Sequence, residues 1–453
     1  MQALASVVNF FLGLGAAVFV PIIIILAGLF VRMKVKDAIS SGITLGVAFS
    51  GMTMLINYMT GVITPAAESM LKFTGINLPI TDGGWTTIST ISWSWPYAFL
   101  MFPLVIGINI LMLVLNKTDT FNADLWNVWG KIFTAVAAYY ITGSVVIAFV
   151  IAAIQVVFEL KIADFHQYRI TDLSGIPGVT CTHKMTFLAA PMYIVDCALR
   201  KIPVLNKSFN AKDLRDKLGI FAENHVLGFL LGILFGVLAR YDIAKILTMG
   251  VQCSTALTLF PVISKYFSQA LEPISNALSE YMQAKFSGRE MYIGLDWPFM
   301  GGASEIWLVI ILTIPVTLLM SFFLPGNQIL PFAGIVNIAI AVPAYLVCKG
   351  NVVRMWIECV VFTPIFLWVG TAFAPFMTEL ANSTKAVELA SGQMISNSSI
   401  DAPIFTYAFS HAAKVIQGDF IPLIILLAWL VCFVLYSRAL IKEKKEALAK
   451  GSA

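Results

Sequence analysis

The chain is 453 residues long, 59% hydrophobic and only 12% charged. An ordinary soluble domain carries about 25% charged residues, so this composition excludes a soluble fold and points to an integral membrane protein. A net charge of +4, dispersed along the chain, leaves no nucleic-acid footprint. The six cysteines show no CxxC or other metal-ligand spacing, so neither a metal nor a cofactor is expected.

A bilayer-crossing helix needs about 20 apolar residues, and runs of that kind set out the chain in order. Val8 to Val31 reads as a first span, without the basic region that marks a cleaved signal. Ala38 to Ile63 and Ser92 to Asn116 follow. Leu125 to Ile162 is too long for one helix and divides at Gly143 into a fourth and a fifth. Leu218 to Arg240 and Ile246 to Ser264 are the sixth and seventh. The uncharged run Ile306 to Cys348 breaks at Pro325-Gly326-Asn327-Gln328 into an eighth and a ninth, and Val352 to Met377 and Ile421 to Ser437 complete about eleven spans. Two amphipathic stretches, Pro65 to Asn77 and Glu272 to Phe286, read as helices lying on opposite membrane faces. Two Gly/Pro-broken stretches, Asp172 to Pro191 and Ser391 to Phe409, read either as re-entrant hairpins walling a cavity or as surface loops. Basic residues set the orientation. Arg32 to Lys36, Arg200 to Lys217, Lys349 with Arg354, and Lys442 to Lys450 all fall inside if the N-terminus is external and the C-terminus cytoplasmic; Arg240 and Lys245 are exceptions.

The halves echo one another. Gly28, Arg32, Gly42 and Pro65 recur at one constant offset as Gly236, Arg240, Gly250 and Pro273; Gly143 recurs as Gly350, and Ser174-Gly175 as Ser391-Gly392. Residues 1–217 then form a first five-helix repeat with a cytoplasmic-side hairpin. Residues 218–453 form a second, inverted repeat with an outer-side hairpin and a C-terminal helix. The expected fold class is all-α: a polytopic membrane protein with two re-entrant hairpins and inverted five-helix repeats.

The polar residues that break this apolar background are the candidate site. Asp296 stands in Gly294-Leu295-Asp296-Trp297-Pro298, at the threshold of a span and in broken backbone. A carboxylate there is costly unless it is paired or faces a wet cavity. Asp82-Gly83-Gly84-Trp85 is its likeness in the first half, and interfacial anchoring is the plain alternative for both stretches. Thr182 and His183 lie in the first hairpin, and Glu223 and His225 open the sixth span, where a solvated helix end is the competing reading. Asn57 and Asn127 could bind hydroxyls or join helices. Glu305 precedes the eighth span, and Glu358 reads as an interfacial carboxylate of the tenth. Aromatic rings beside carboxylates and amides suit a sugar or polyol, whose C–H faces pack on rings while its hydroxyls take hydrogen bonds. The sequence carries neither a P-loop nor a dinucleotide fingerprint.

Tyr292-Ile293-Gly294-Leu295-Asp296-Trp297-Pro298 resembles a segment of the galactitol-type enzyme IIC, the membrane component of a bacterial phosphoenolpyruvate-dependent sugar phosphotransferase system. Leu324 to Phe332 and Asp124 to Trp129 look like the same family, and the likeness runs over nearly the whole chain. The resemblance implies a homodimeric, multi-pass permease in the lipid of the bacterial inner (cytoplasmic) membrane. It implies a sugar or polyol substrate, phosphorylated on delivery by a phosphocysteine of a separate IIB protein that a IIA protein charges. On that basis the chain catalyses phosphotransfer only together with its partners. Asp296 is the first candidate to accept the hydroxyl proton and His183 the second, with Trp297, Thr182, Glu223, His225, Asn57, Asn127, Asp82, Trp85 and Glu305 as candidate substrate contacts. The rival is an ion-coupled sugar or polyol symporter in which Asp82 and Asp296 bind protons or sodium.

Overall fold

Backbone in hydrocarbon has no water to bond with, so uncharged runs become helices that satisfy their own N–H and C=O groups. The computed structural model describes residues 16–72, 78–124, 126–206, 223–285, 290–331, 333–384, 389 and 392–449. In chain order these form α1 (Ala16–Phe30), α2 (Val35–Lys72), β1 (Ile80–Asp82), α3 (Gly84–Trp93), α4 (Met101–Val114), β2 (Thr120–Asn122), α5 (Trp129–Thr142), α6 (Val145–Ser174), β3 (Val179–Cys181) and α7 (Ala189–Leu199). Then come α8 (Asn224–Leu238), α9 (Ile243–Lys285), β4 (Tyr292–Leu295), α10 (Ser304–Phe323), β5 (Ile329–Leu330), α11 (Ile338–Cys348), α12 (Val352–Thr384), β6 (Met394–Ser396), α13 (Pro403–His411) and α14 (Ile421–Ala449). Among the described residues six helices are long and apolar enough to cross a membrane, or seven if the pair 87–93 and 98–114, bent by 91°, is one broken span. The chain is thus a largely helical multi-pass membrane protein. Residues 8–15, 73–77, 207–222, 286 and 391, on which parts of the expected spans, surface helices, basic loop and hairpins fall, lie outside the described residues.

Several boundaries differ from the apolar pattern, each for a physical reason. The two expected surface helices are instead continuations of α2 and α9, which run unbroken through Pro65 and through Pro261 and Pro273. A proline costs such a helix one backbone hydrogen bond but does not end it where no water competes for the freed carbonyl. The expected ninth span is the short α11, about 16 Å long at 1.5 Å per residue, preceded by strand β5. Division at Gly143 holds: its φ of 65° caps α5. Helix α14 extends past Ser437 because Arg169 of α6 pairs with Glu443 and donates to the Tyr436 hydroxyl at 3.1 Å. Glu358, expected at an interface, is fully buried in α12, and neither carboxylate oxygen has a hydrogen-bond partner.

Helices α8 and α9 pack backbone to backbone. A Cβ on Gly228, Gly232 or Gly236 would meet Ser254, Met249 and Gly250, or Ile246 at 2.5–3.1 Å. Residues spaced by four recur on one helix face, so three glycines make a groove for the neighbouring chain. The α1–α2 turn and the α8–α9 turn have the same backbone. Arg32 and Arg240 both adopt positive φ, 66° and 55°. Met33 N–H donates to Gly28 C=O in one, and Tyr241 N–H to Gly236 C=O in the other.

Two small parallel sheets hold the centre, with orders β5-β1-β6 and β2-β4-β3. In each, the middle strand comes from one half of the chain and both outer strands from the other half. They sit where the long helices are interrupted, and the residues that follow the strands make the polar interior.

Candidate functional site

The site is built on Gly294. In β4 it lies opposite Asn122 of β2 on one side and Thr180 of β3 on the other. A Cβ there would stand 2.4 Å from the Thr182 methyl and 2.9 Å from the Thr120 methyl, so only hydrogen fits. Across that gap Thr182 Oγ1 donates to Asn122 Oδ1 at 2.8 Å, joining the two outer strands over the middle one. Asn122 N–H in turn donates to Asn109 Oδ1 at 3.0 Å. The clasp brings three segments to one place: Asp296 and Trp297 after β4, Asp124 and Asn127 after β2, Thr182 and His183 after β3.

Asp296 Oδ1 accepts the Trp297 N–H at 2.7 Å, and the Asn127 side chain reaches the same carboxylate. The Asn127 amide nitrogen also donates to both oxygens of the buried Asp124, at 3.0 and 3.2 Å. Trp129 Nε1 donates to Asn127 Oδ1 at 3.0 Å. An indole N–H can only donate, so it fixes the amide with its oxygen toward Trp129 and its NH2 toward the carboxylates. Asp296 is half-buried as a residue, yet protein surrounds its carboxyl. Burial, and then the Asp124 charge beside it, hold that carboxyl well above the usual carboxylate range.

His183 Nδ1 accepts the Met185 N–H at 3.2 Å. That leaves Nε2 to carry the ring proton, and it faces the Asp401 carboxylate at 3.9 Å, beyond direct hydrogen-bond range. Next to this pair, Lys131 Nζ meets Glu159 at 2.7 Å with both side chains 2% exposed. Lys184 Nζ donates to Gly130 C=O at 3.2 Å and lies among the charges of Asp401, Glu159 and Lys131. The two lysines offset Glu159 and Asp401.

The structure therefore brings together Asp296, Trp297, Asn127, Thr182 and His183, and not the other candidates. Asp82 ends the middle strand of the other sheet, where it accepts Gly84 N–H at 3.0 Å, Gly334 N–H at 2.8 Å, Ser398 N–H at 3.2 Å and Ser398 Oγ at 2.7 Å. Trp85 beside it is 51% exposed. Asn57 is exposed on α2. Glu223 and His225 are exposed at the start of α8 and pair with each other at 3.4 Å. Glu305 faces Gly350 and acts on Tyr345. A small cavity, lined by Thr313, Asn337, Thr363 and Ser398 among apolar side chains, belongs to the Asp82 side and is not the Asp296 cluster. Lys131, Glu159 and Asp401 were not singled out from sequence. A lone charge inside an apolar run was the available signal for the first two.

The model of the EIIC-GAT family, described as "PTS system sugar-specific permease component", matches residues 10–392. The chain is 32% identical over 403 residues to the "PTS system galactitol-specific EIIC component" of Escherichia coli strain K12, covering 88% of this chain and 89% of that one. The protein of the same description from Escherichia coli O157:H7 matches equally. A "Putative permease IIC component" of strain K12 is 29% identical over 381 residues, 82% of this chain and 86% of that one.

Proposed function

The chain belongs to the EIIC-GAT family of sugar-specific permease components of the phosphotransferase system, and from that premise we propose that it carries a polyol such as galactitol across the bacterial inner membrane. Delivery is coupled to phosphorylation by the phosphocysteine of a IIB partner, which a IIA protein recharges. The observation that carries the site assignment is the contrast between the two aspartates. Asp82 is saturated by four donors, whereas Asp296 is partly open and takes its donors from Trp297 and Asn127. In the proposed reaction the substrate hydroxyl oxygen forms a bond to phosphorus as the donor's S–P bond breaks. The thiolate leaves with the IIB protein, and the hydroxyl proton passes to Asp296. His183, Thr182, Asn127 and Trp297 hold the substrate against it, the Trp297 ring packing on C–H faces.

The proposed architecture is a pair of inverted repeats, 1–217 and 218–453, in a homodimer with a cytoplasmic C-terminus. Matching backbone supports it. Gly143 and Gly350 have φ of 65° and 73°, Gly175 and Gly392 have 69° and 78°, and Arg32 and Arg240 are paired likewise. The reciprocal origin of the middle strands supports it too. The segments around β3 and β6, with their short helices α7 and α13, are proposed as the re-entrant walls of the substrate path.

The test is made in vesicles reconstituted with purified protein. Phosphorylated polyol is expected only when the IIB partner and its donor are supplied. Asp296→Asn is expected to lower the phosphorylation rate by about 10²-fold or more, the scale of acid–base catalysis, while substrate binding weakens by about 1.5–3 kcal/mol. Near-normal phosphorylation by Asp296→Asn removes Asp296 from the chemistry. Uptake of free polyol on an ion gradient alone overturns group translocation.

A further inference from the structure

Within the reading of Asp296 as the proton acceptor, we infer that Asp124 is its positioning residue: a buried carboxylate, held by the Asn127 amide beside Asp296, that acts on it without touching substrate.

The two carboxylates are arranged unequally. Asp124 is 2% exposed and receives the Asn127 backbone N–H at 3.3 Å as well as the side-chain amide at 3.0 and 3.2 Å. Its own N–H donates to Asn122 Oδ1 at 3.0 Å, which ties it to the clasp over Gly294. Burial pushes the Asp124 carboxyl above the usual carboxylate range, and the Lys131 charge and the Asn127 donors act against it by favouring the ionised form. Asp296 has fewer donors and, as a residue, is only half-buried. Paired carboxylates whose surroundings separate them in this way divide into one that keeps its charge more readily and one that exchanges its proton.

The charges around the pair do not cancel this. Lys131 is the cation that acts on Asp124, but its amine lies 2.7 Å from Glu159. Lys184 stands among Glu159 and Asp401, and His183 faces Asp401 at 3.9 Å. Asp401 adds a further negative charge that acts on Asp296, and the buried Cys181 thiol lies within its field. Asn127 is neutral, so it orients the carboxylates without neutralising them. When the substrate hydroxyl gives up its proton, the charge of the pair falls from two negative to one. That relief of like-charge repulsion favours the transfer, and Asp124 supplies more of it than Asp401 does.

The experiment is the pH dependence of kcat/KM for polyol phosphorylation in reconstituted vesicles, with the charged IIB partner in excess. Base catalysis requires ionised Asp296, so the rate rises with pH through the pKa of that group. Asp124→Asn is expected to move this acid limb to lower pH by about one unit and to lower the plateau about tenfold, with folding confirmed by thermal denaturation. Asp124→Glu, which keeps the charge, is expected to restore the limb toward its original position. Asn127→Ser keeps both carboxylates but removes the amide between them, and is expected to move the limb to higher pH. This variant serves where Asp124→Asn does not fold. An acid limb unmoved in folded Asp124→Asn, or unmoved in Asn127→Ser, overturns the inference even where Asp296→Asn is inactive. Retained activity in Asp296→Asn removes the proton-acceptor reading itself, which separates the two failures.

Discussion

Asp82 ends the middle strand of one sheet and Asp296 follows that of the other, and their surroundings predict different consequences for the same substitution. In Asp82→Asn an amide nitrogen replaces one of two oxygens that each face a backbone N–H, Oδ1 those of Gly84 and Ser398 and Oδ2 that of Gly334. Donor then faces donor in a buried place, at a cost of about 1–3 kcal/mol. The expected outcome is a lower unfolding temperature in detergent with little loss of phosphorylation per folded molecule, measured on the same preparation. Loss of phosphorylation with unchanged stability would contradict the structural role. Sequence made Asp296 legible because a carboxylate among Gly, Trp and Pro beside an uncharged run has few bland explanations. The family motif set Asp296 apart from Asp82, but the physical difference between them was hidden, since it lies in donors contributed by residues such as Ser398, hundreds of positions away. Asp401 was hidden for the same reason: its partners His183 and Lys184 lie in the other half of the chain.

At the scale of elements, hydropathy located the helices but not their lengths. The amphipathic stretches Pro65 to Asn77 and Glu272 to Phe286 read as separate surface helices, yet Pro65 and Pro273 lie inside the continuous α2 and α9. The glycines of α8 carry a sharper consequence. Gly232→Val would drive its side chain into the Met249 carbonyl, 2.5 Å from the Cβ position, and the Gly250 Cα at 2.7 Å. Both obstacles are backbone, so the α8–α9 pair must separate, and a loss of several kcal/mol of stability is expected. Gly107 on α4 has nothing within 4 Å of a Cβ. Gly107→Ala is therefore expected to be neutral or to stabilise by up to about 1 kcal/mol, the helix preference of Ala over Gly. Thermal denaturation of the two variants side by side checks both expectations. Equal effects would show that close packing does not decide the role of these glycines.

For the whole molecule, the two sheets make the halves mutually dependent. Strand β1 has both its partners, β5 and β6, in the second half, and β4 has both of its partners, β2 and β3, in the first. Expressed separately, 1–217 and 218–453 are expected to remain protease-sensitive, because each exposes unpaired strand edges and half of a charge cluster. Co-expressed, they are expected to assemble and recover phosphorylation. A protease-resistant, monodisperse half on its own would refute this dependence. The turn residues on which the proposed repeat rests were legible, since positive φ restricts which residues a turn accepts and so leaves a sequence trace. The sheets were not legible. Strands of two to four residues are too short to show alternation, and their partners are remote in sequence.

The reciprocal strands also bear on how the protein is made. Residue 82 leaves the ribosome before residue 394 by roughly 15–60 s at a synthesis rate of about 5–20 residues per second. Until β5 emerges β1 has no edge to pair with, and it lacks β6 throughout that interval, although the helices flanking it are already complete. Helix insertion must therefore precede sheet closure, and the closing step has the long loop-closure distance that makes non-local pairing slow. The nascent first half is the aggregation-prone species of this chain, and its lifetime is set by the rate of translation rather than by the stability of the finished permease.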